Sequence, residues 1–130
     1  YLGLNYNMWR DIIIIRDYCR EKELFELLEI NENEKYNLIN ENHSKNFIKT
    51  PILLKNDYKN IYMKKINGYS IFDWIGVMEK AQSIHTVGTS IIFIMDVIKT
   101  MPNEMHIYKR HGLNDHSPYD YLLNKKYIYH

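Results

Sequence analysis

The feature that most constrains this fold is one continuous unit: SIHTV (residues 83–87), then Gly88-Thr89-Ser90, then an apolar stretch reaching Met101 just before Pro102. The first segment suits a buried strand, because β-branched side chains pack well on a pleated surface. A glycine followed by two hydroxyl residues suits a turn. Ile91, Ile92, Phe93, Ile94, Met95, Val97 and Ile98 then leave almost no polar side on a helix, so that helix is expected to be buried and to run to Met101. A strand that turns directly into a buried helix is the building unit of a parallel sheet.

The remaining segments repeat that alternation. Residues 8–28 read as a helix, with Trp9, Ile12 and Ile13 followed by Leu24, Phe25 and Leu28 on one face, although the β-branched run 12–15 would equally suit a strand. YNLINE (residues 36–41) reads as a strand, and residues 42–60 as a long basic loop interrupted by Pro51. Residues 61–66 form a second expected strand, closed by the turn pair Asn67-Gly68. Ser70 and Asp73 have capping-box spacing, Tyr69 and Trp74 can staple across it, and Ile71, Trp74, Ile75 and Met78 form an inward stripe ending near Ala81. Residues 104–109 supply another strand, Ser117-Pro118 a helix start, and residues 127–129 a closing aromatic stretch. The expected fold is α/β: a Rossmann-like three-layer domain with a short parallel sheet of about four strands, right-handed crossovers and flanking helices.

Composition narrows the function classes. A chain of 130 residues with 45% hydrophobic and 25% charged side chains fits one globular domain. Lysine and arginine number 17 against 16 acids, so overall charge does not argue for nucleic acid or a membrane. Locally the balance shifts: Lys45, Lys49, Lys55, Lys59, Lys64 and Lys65 face only Asp57 across residues 45–65. Such a segment either attracts an anionic ligand or docks an acidic partner, or is simply a solvated loop. Cys19 alone excludes an internal disulfide and a cysteine-built zinc site, and points to a reducing, cytoplasmic setting. No apolar run approaches the roughly 20 residues of a spanning helix. Tyr1 in place of methionine leads us to expect a fragment.

Ligands of open parallel sheets bind beyond the carboxyl ends of the strands, which singles out Gly88, Thr89 and Ser90. Glycine permits close backbone approach, the hydroxyls donate, and first-turn N–H groups suit a phosphate. The same residues also serve as a tight turn and a helix cap, and both readings stand. There is no GK[ST] loop and no GxGxxG. The six histidines match no metal-ligand spacing, so no metal is expected, and His85 in mid-strand also suits a hydrogen-bonded core position. No GxSxG elbow supports a hydrolase. Tyrosine and lysine interleave at residues 57–65 and 124–130, but no RNP motif accompanies them, so nucleic acid is not the expected partner.

Residues 71–98, IFDWIGVMEKAQSIHTVGTSIIFIMDVI, resemble the donor-binding, C-terminal Rossmann-like half of two-Rossmann-domain (type B) glycosyltransferases. The shared layout is a helix, a strand, a pair of small or hydroxyl residues and a buried helix, as in heptosyltransferases and fucosyltransferase-like enzymes. The resemblance implies a nucleotide-sugar donor whose diphosphate is held by Thr89 and Ser90 beside Gly88, with His85, His43 and Ser44 facing the cleft. It implies glycosyl transfer without a metal or cofactor, and an acceptor-binding domain that precedes this one. The family's ribose-holding acid has no clear counterpart. No basic residue adjoins Thr89-Ser90, so Lys45 or Arg110 would fill that role.

Overall fold

The computed structural model describes residues 13–42, 51–109 and 123–130. Five parallel strands form one sheet in the order β2-β1-β3-β4-β5: β1 (Tyr36–Asn40), β2 (Lys59–Tyr62), β3 (Ser83–Val87), β4 (Met105–Tyr108) and β5 (Ile128–Tyr129). The expected layered α/β architecture is therefore present, with one strand more than anticipated. At two residues, β5 is too short for periodicity to reveal.

Alternation assigns the two faces. Leu38 lies opposite Ile61 and Ile84, and Ile84 opposite Met105, so these side chains share a face. They pack with Leu24 of α1 (Tyr18–Leu27), Ile75, Val77 and Met78 of α2 (Ile75–Lys80), and Ile91, Ile94 and Met95 of α3 (Ile91–Val97) in one core cluster. Tyr36 joins that core and donates its hydroxyl to the Val77 carbonyl at 2.5 Å, and burial pushes its phenol well above the ordinary tyrosine value. On the other face Ile39 and Val87 are covered by Ile52, with Leu54 and Tyr108 against them.

The first helix is shorter than its sequence pattern. It begins at Tyr18, where the Asp17 carboxylate accepts the Arg20 N–H at 3.2 Å. Residues 13–17 are not helical, as the stiff isoleucines favour, and residues 8–12 lie outside the described residues. The second helix starts where expected. The Ser70 N–H donates to Asp73 Oδ2 at 2.8 Å, a 3-10 turn (Ile71–Trp74) follows, and α2 continues it. Gly68 holds φ at +87°, a left-handed value that favours glycine in the Asn67-Gly68 turn. The preceding strand ends at Tyr62 rather than 66, which leaves Lys64 and Lys65 beyond it.

The third helix departs most from expectation, ending at Val97 rather than Met101. The C-terminal segment stops it. The Asp96 carboxylate accepts the Asn124 and Lys125 N–H groups and the Tyr127 hydroxyl, each within 3.0 Å. The Lys125 ammonium donates to the carbonyls of Met95 and Ile98. Carbonyls that a longer helix would use internally are thus capped by a side chain. Phe93 and Val97 remain partly exposed, so α3 is not apolar-buried on every side. The helix start expected at Ser117-Pro118 lies outside the described residues.

Arg16 ties α1 to α2. Its guanidinium donates to Glu21 (Nε to Oε2, 3.0 Å) and to Glu79 (Nη2 to Oε2, 3.0 Å), and these two carboxylates hold its pKa above the already high arginine value. Glu21 is 4% exposed. A Cβ at Gly76 would stand 3.1 Å from Glu21 Oε1, so the glycine makes room for the clamp. Arg16→Ala should lower stability by about 3 kcal/mol in urea melts, because two carboxylates are left together without their cation. Arg16→Lys should recover only part of that loss, since an ammonium cannot bond both carboxylates bidentately.

Candidate functional site

A parallel sheet in this order has its topological switch between β1 and β3. The chain leaves β1 for β2 on one side and later resumes at β3 on the other. Connections diverging from neighbouring carboxyl ends leave a crevice between them. A groove of about 650 Å³ lies there. Its polar lining comes from Asn40 and Asn42 after β1, Lys64 and Lys65 after β2, and Thr89 and Ser90 after β3. Tyr69, Ile71 and Trp74 supply apolar wall.

Hydrogen bonds hold the polar groups in place. Asn40 is 6% exposed, and its Nδ2 donates to Thr86 Oγ1 at 3.1 Å and to Thr89 Oγ1 at 3.2 Å. Its Oδ1 accepts from the Asn42 N–H, and Asn42 Nδ2 donates to the Met63 carbonyl at 3.0 Å. Thr89 Oγ1 accepts from Asn40, which holds that hydroxyl oxygen in position at the groove. Ser90 is exposed and its side chain does not cap α3. Lys64 and Lys65 are exposed without an ion pair among the described residues, and no described lining residue is acidic. The groove is thus lined by the hydroxyls of Thr89, Ser90 and Ser70 and by the two ammonium groups.

The structure brings together only part of the expected site. Thr89 and Ser90 line the groove, while His43 and Ser44, with Lys45 and Arg110, lie outside the described residues. The first helical turn is less open than expected, since the Ile92 and Phe93 N–H groups donate to the Thr89 and Ser90 carbonyls. Gly88 is not required by the turn: its φ is not left-handed, and a Cβ there would meet no atom within 4 Å. Lys64 and Lys65 of the basic segment come to the groove, and Asn40 and Asn42, which no local motif marks, join them. The signal that finds them is the strand order, which places the carboxyl ends of β1 and β2 beside that of β3.

His85 does not join the groove lining and takes the hydrogen-bonded core position that its mid-strand place also suits. It is 4% exposed within a chain of buried polar groups on the opposite side of β3 from Ile84. Ser83 donates to Asn37 Oδ1 at 2.8 Å, and its oxygen lies 2.9 Å from His85 Nε2. That arrangement makes Nε2 the donor and leaves Nδ1 to accept from the Tyr108 hydroxyl at 3.0 Å. The ring stacks on His106 with centroids 4.2 Å apart, and His106 in turn meets His130 Nε2 at 2.8 Å and Glu104 at 3.1 Å. Although Ser83 touches a histidine, it is 2% exposed and its proton is committed to Asn37, so this pair is no nucleophile. Among the described residues there is no group of three or more potential metal ligands.

No family model matches the chain, and neither the curated proteins nor the solved structures contain a match to it. Among the described residues no helix is long and apolar enough to cross a membrane.

Burial lowers the His85 pKa to about 4, with repulsion from His106 adding to it, Glu104 opposing and His130 adding a smaller push. The folded ring is neutral, whereas the unfolded one titrates near 6.5. Its contribution is therefore fully present above pH 6.5 and is lost as pH falls toward 4. About 3 kcal/mol should disappear between pH 7 and pH 4 in urea melts. His85→Gln should flatten that part of the curve by a similar amount, and a curve parallel to the unaltered protein's would assign the acid sensitivity elsewhere.

Proposed function

We propose that the groove between the carboxyl ends of β1, β2 and β3 binds the phosphoryl groups of an anionic ligand. In the specific form implied by the glycosyltransferase resemblance, the ligand is the diphosphate of a nucleotide-sugar donor. The observation that carries this reading is the convergence of Thr89 and Ser90 with Lys64 and Lys65 at the switch point, with no acid among the described lining residues. Hydroxyls held in place and ammonium groups at the rim are the donors that a phosphate's oxygens accept. The groove's 650 Å³ lies within the size range of nucleotide-binding clefts.

In glycosyl transfer the same groups would stabilise the departing diphosphate, because donors fixed in advance need no reorganisation as charge develops. The acceptor and its base would come from the partner domain that the resemblance implies, so this chain binds the donor without turning it over.

Calorimetry and thermal shift against uridine, guanosine, adenosine and cytidine diphosphates and their sugars test the reading. A diphosphate at 100 times its dissociation constant should add about 2.7 kcal/mol of stability, and the bare nucleosides much less. Joint replacement of Thr89 and Ser90 by alanine should weaken binding at least tenfold, since each removes a hydrogen bond to a charged group worth roughly 1.5–3 kcal/mol. Lys64→Ala with Lys65→Ala should weaken it further and flatten its salt dependence. No binding by the unaltered chain, or equal binding by all three, would overturn the assignment.

A further inference from the structure

The groove does not end at its polar wall. Ile71 and Ser90 also line a second depression of about 330 Å³, between the 3-10 turn and α3. Its other described lining residues are Ile14, Phe72, Phe93, Ile94 and Val97, so Ser90 at the junction is its one polar side chain among them. Phe72 is 49% exposed, and the trough opens to solvent along that ring. A volume this small is at the lower end for small-molecule cavities and far too narrow for a helix roughly 10–12 Å across. It fits a hydrocarbon chain.

The two compartments differ in chemistry and share two walls. A ligand whose anionic end is bonded to Ser90 has its next atoms at the mouth of the trough. The geometry points to a two-part ligand: a phosphate ester whose head lies among Thr89, Ser90, Lys64 and Lys65, and whose acyl-like or prenyl-like chain passes Ser90 to lie between Phe72 and Phe93. The two ammonium groups match the charge of nearly two on a phosphate monoester better than the single charge of a carboxylate, and the Thr89 and Ser90 hydroxyls can donate to its remaining oxygens. The inference rests on the reading of the groove as a phosphoryl site. It does not depend on a nucleoside or a sugar, and a nucleoside diphosphate would compete with the chain-bearing phosphate for the same donors.

Calorimetry with methyl phosphate, butyl phosphate, octyl phosphate (below its micelle-forming concentration) and octanol separates the parts. Each methylene moved from water into apolar contact improves binding by up to roughly fourfold, so octyl phosphate should bind at least tenfold tighter than methyl phosphate. Octanol should bind far more weakly than octyl phosphate. Phe72→Gln, which adds no charge beside Ser90, should bring octyl phosphate close to the affinity of methyl phosphate. Lys64→Ala with Lys65→Ala should weaken both phosphates. If methyl and octyl phosphate bind equally, the trough is not part of the site and the phosphoryl reading survives alone. If octanol matches octyl phosphate, the head is not read and the two-part ligand is wrong. If no phosphate binds, both readings fall together.

Discussion

The structure depends on burying β1 and β3 on both faces. All five residues of each strand are buried, yet these strands carry Asn37, Asn40, Ser83, His85 and Thr86. A buried polar group without a partner costs roughly 1–3 kcal/mol, so these side chains must satisfy one another. They do so across strands. Asn37 reaches Ser83, Asn56 and Asn60; Ser83 reaches His85; His85 reaches Tyr108; and Asn40 reaches Thr86 and Thr89. A slip of one residue in the β1–β3 register would turn Ser83 and His85 to the face of Leu38 and Ile84 and break the Asn40–Thr86 pair on that face, leaving these groups unpaired. The polar network specifies the pairing that the apolar face alone would leave less certain.

The alternation of strand and helix was legible because it rests on local pattern. The SIHTV strand, the Ser70–Asp73 cap and the Asn67-Gly68 turn all follow from residues within a few positions of one another. What the sequence concealed was long-range. The end of α3 is decided by Lys125 and by Asp96, whose partners lie about thirty residues away. The end of β2 is decided by pairing with β1, which stops at Ile39 opposite Tyr62. That shift of a few residues moves Lys64 and Lys65 from an imagined strand interior to the rim of a groove. The site was half legible for the same reason: Thr89 and Ser90 belong to the local turn, whereas their companions are gathered only by strand order.

Two polar constellations look alike in sequence and differ in what they can do. The Ser83–His85–Tyr108 chain has the residue types of a catalytic relay, but its donors and acceptors are consumed internally and solvent is excluded. Its rings stack instead: His85 on His106, and Tyr108 on His130 at 4.2 Å with an interplanar angle of 5°. That stack fastens the edge strand β5, which two residues of backbone pairing would hold poorly. The groove has the opposite character. Its lysines and Ser90 are exposed, and of its polar lining residues only Asn40 beneath them is buried.

Asn40 is where the two meet. It is a core residue by burial, and its amide spans Thr86 in the strand and Thr89 at the groove. The same bond that satisfies a buried carboxamide also holds the Thr89 hydroxyl oxygen at the groove. The position of Thr89 in the groove is therefore tied to the β1–β3 pairing, and a ligand there would meet a hydroxyl oxygen already held. Preorganisation of this kind lowers the entropy lost on binding. It also means that affinity at the groove and stability of the sheet share one residue, so the two properties cannot be tuned independently at Asn40, whereas Lys64, Lys65 and Ser90 leave the sheet untouched.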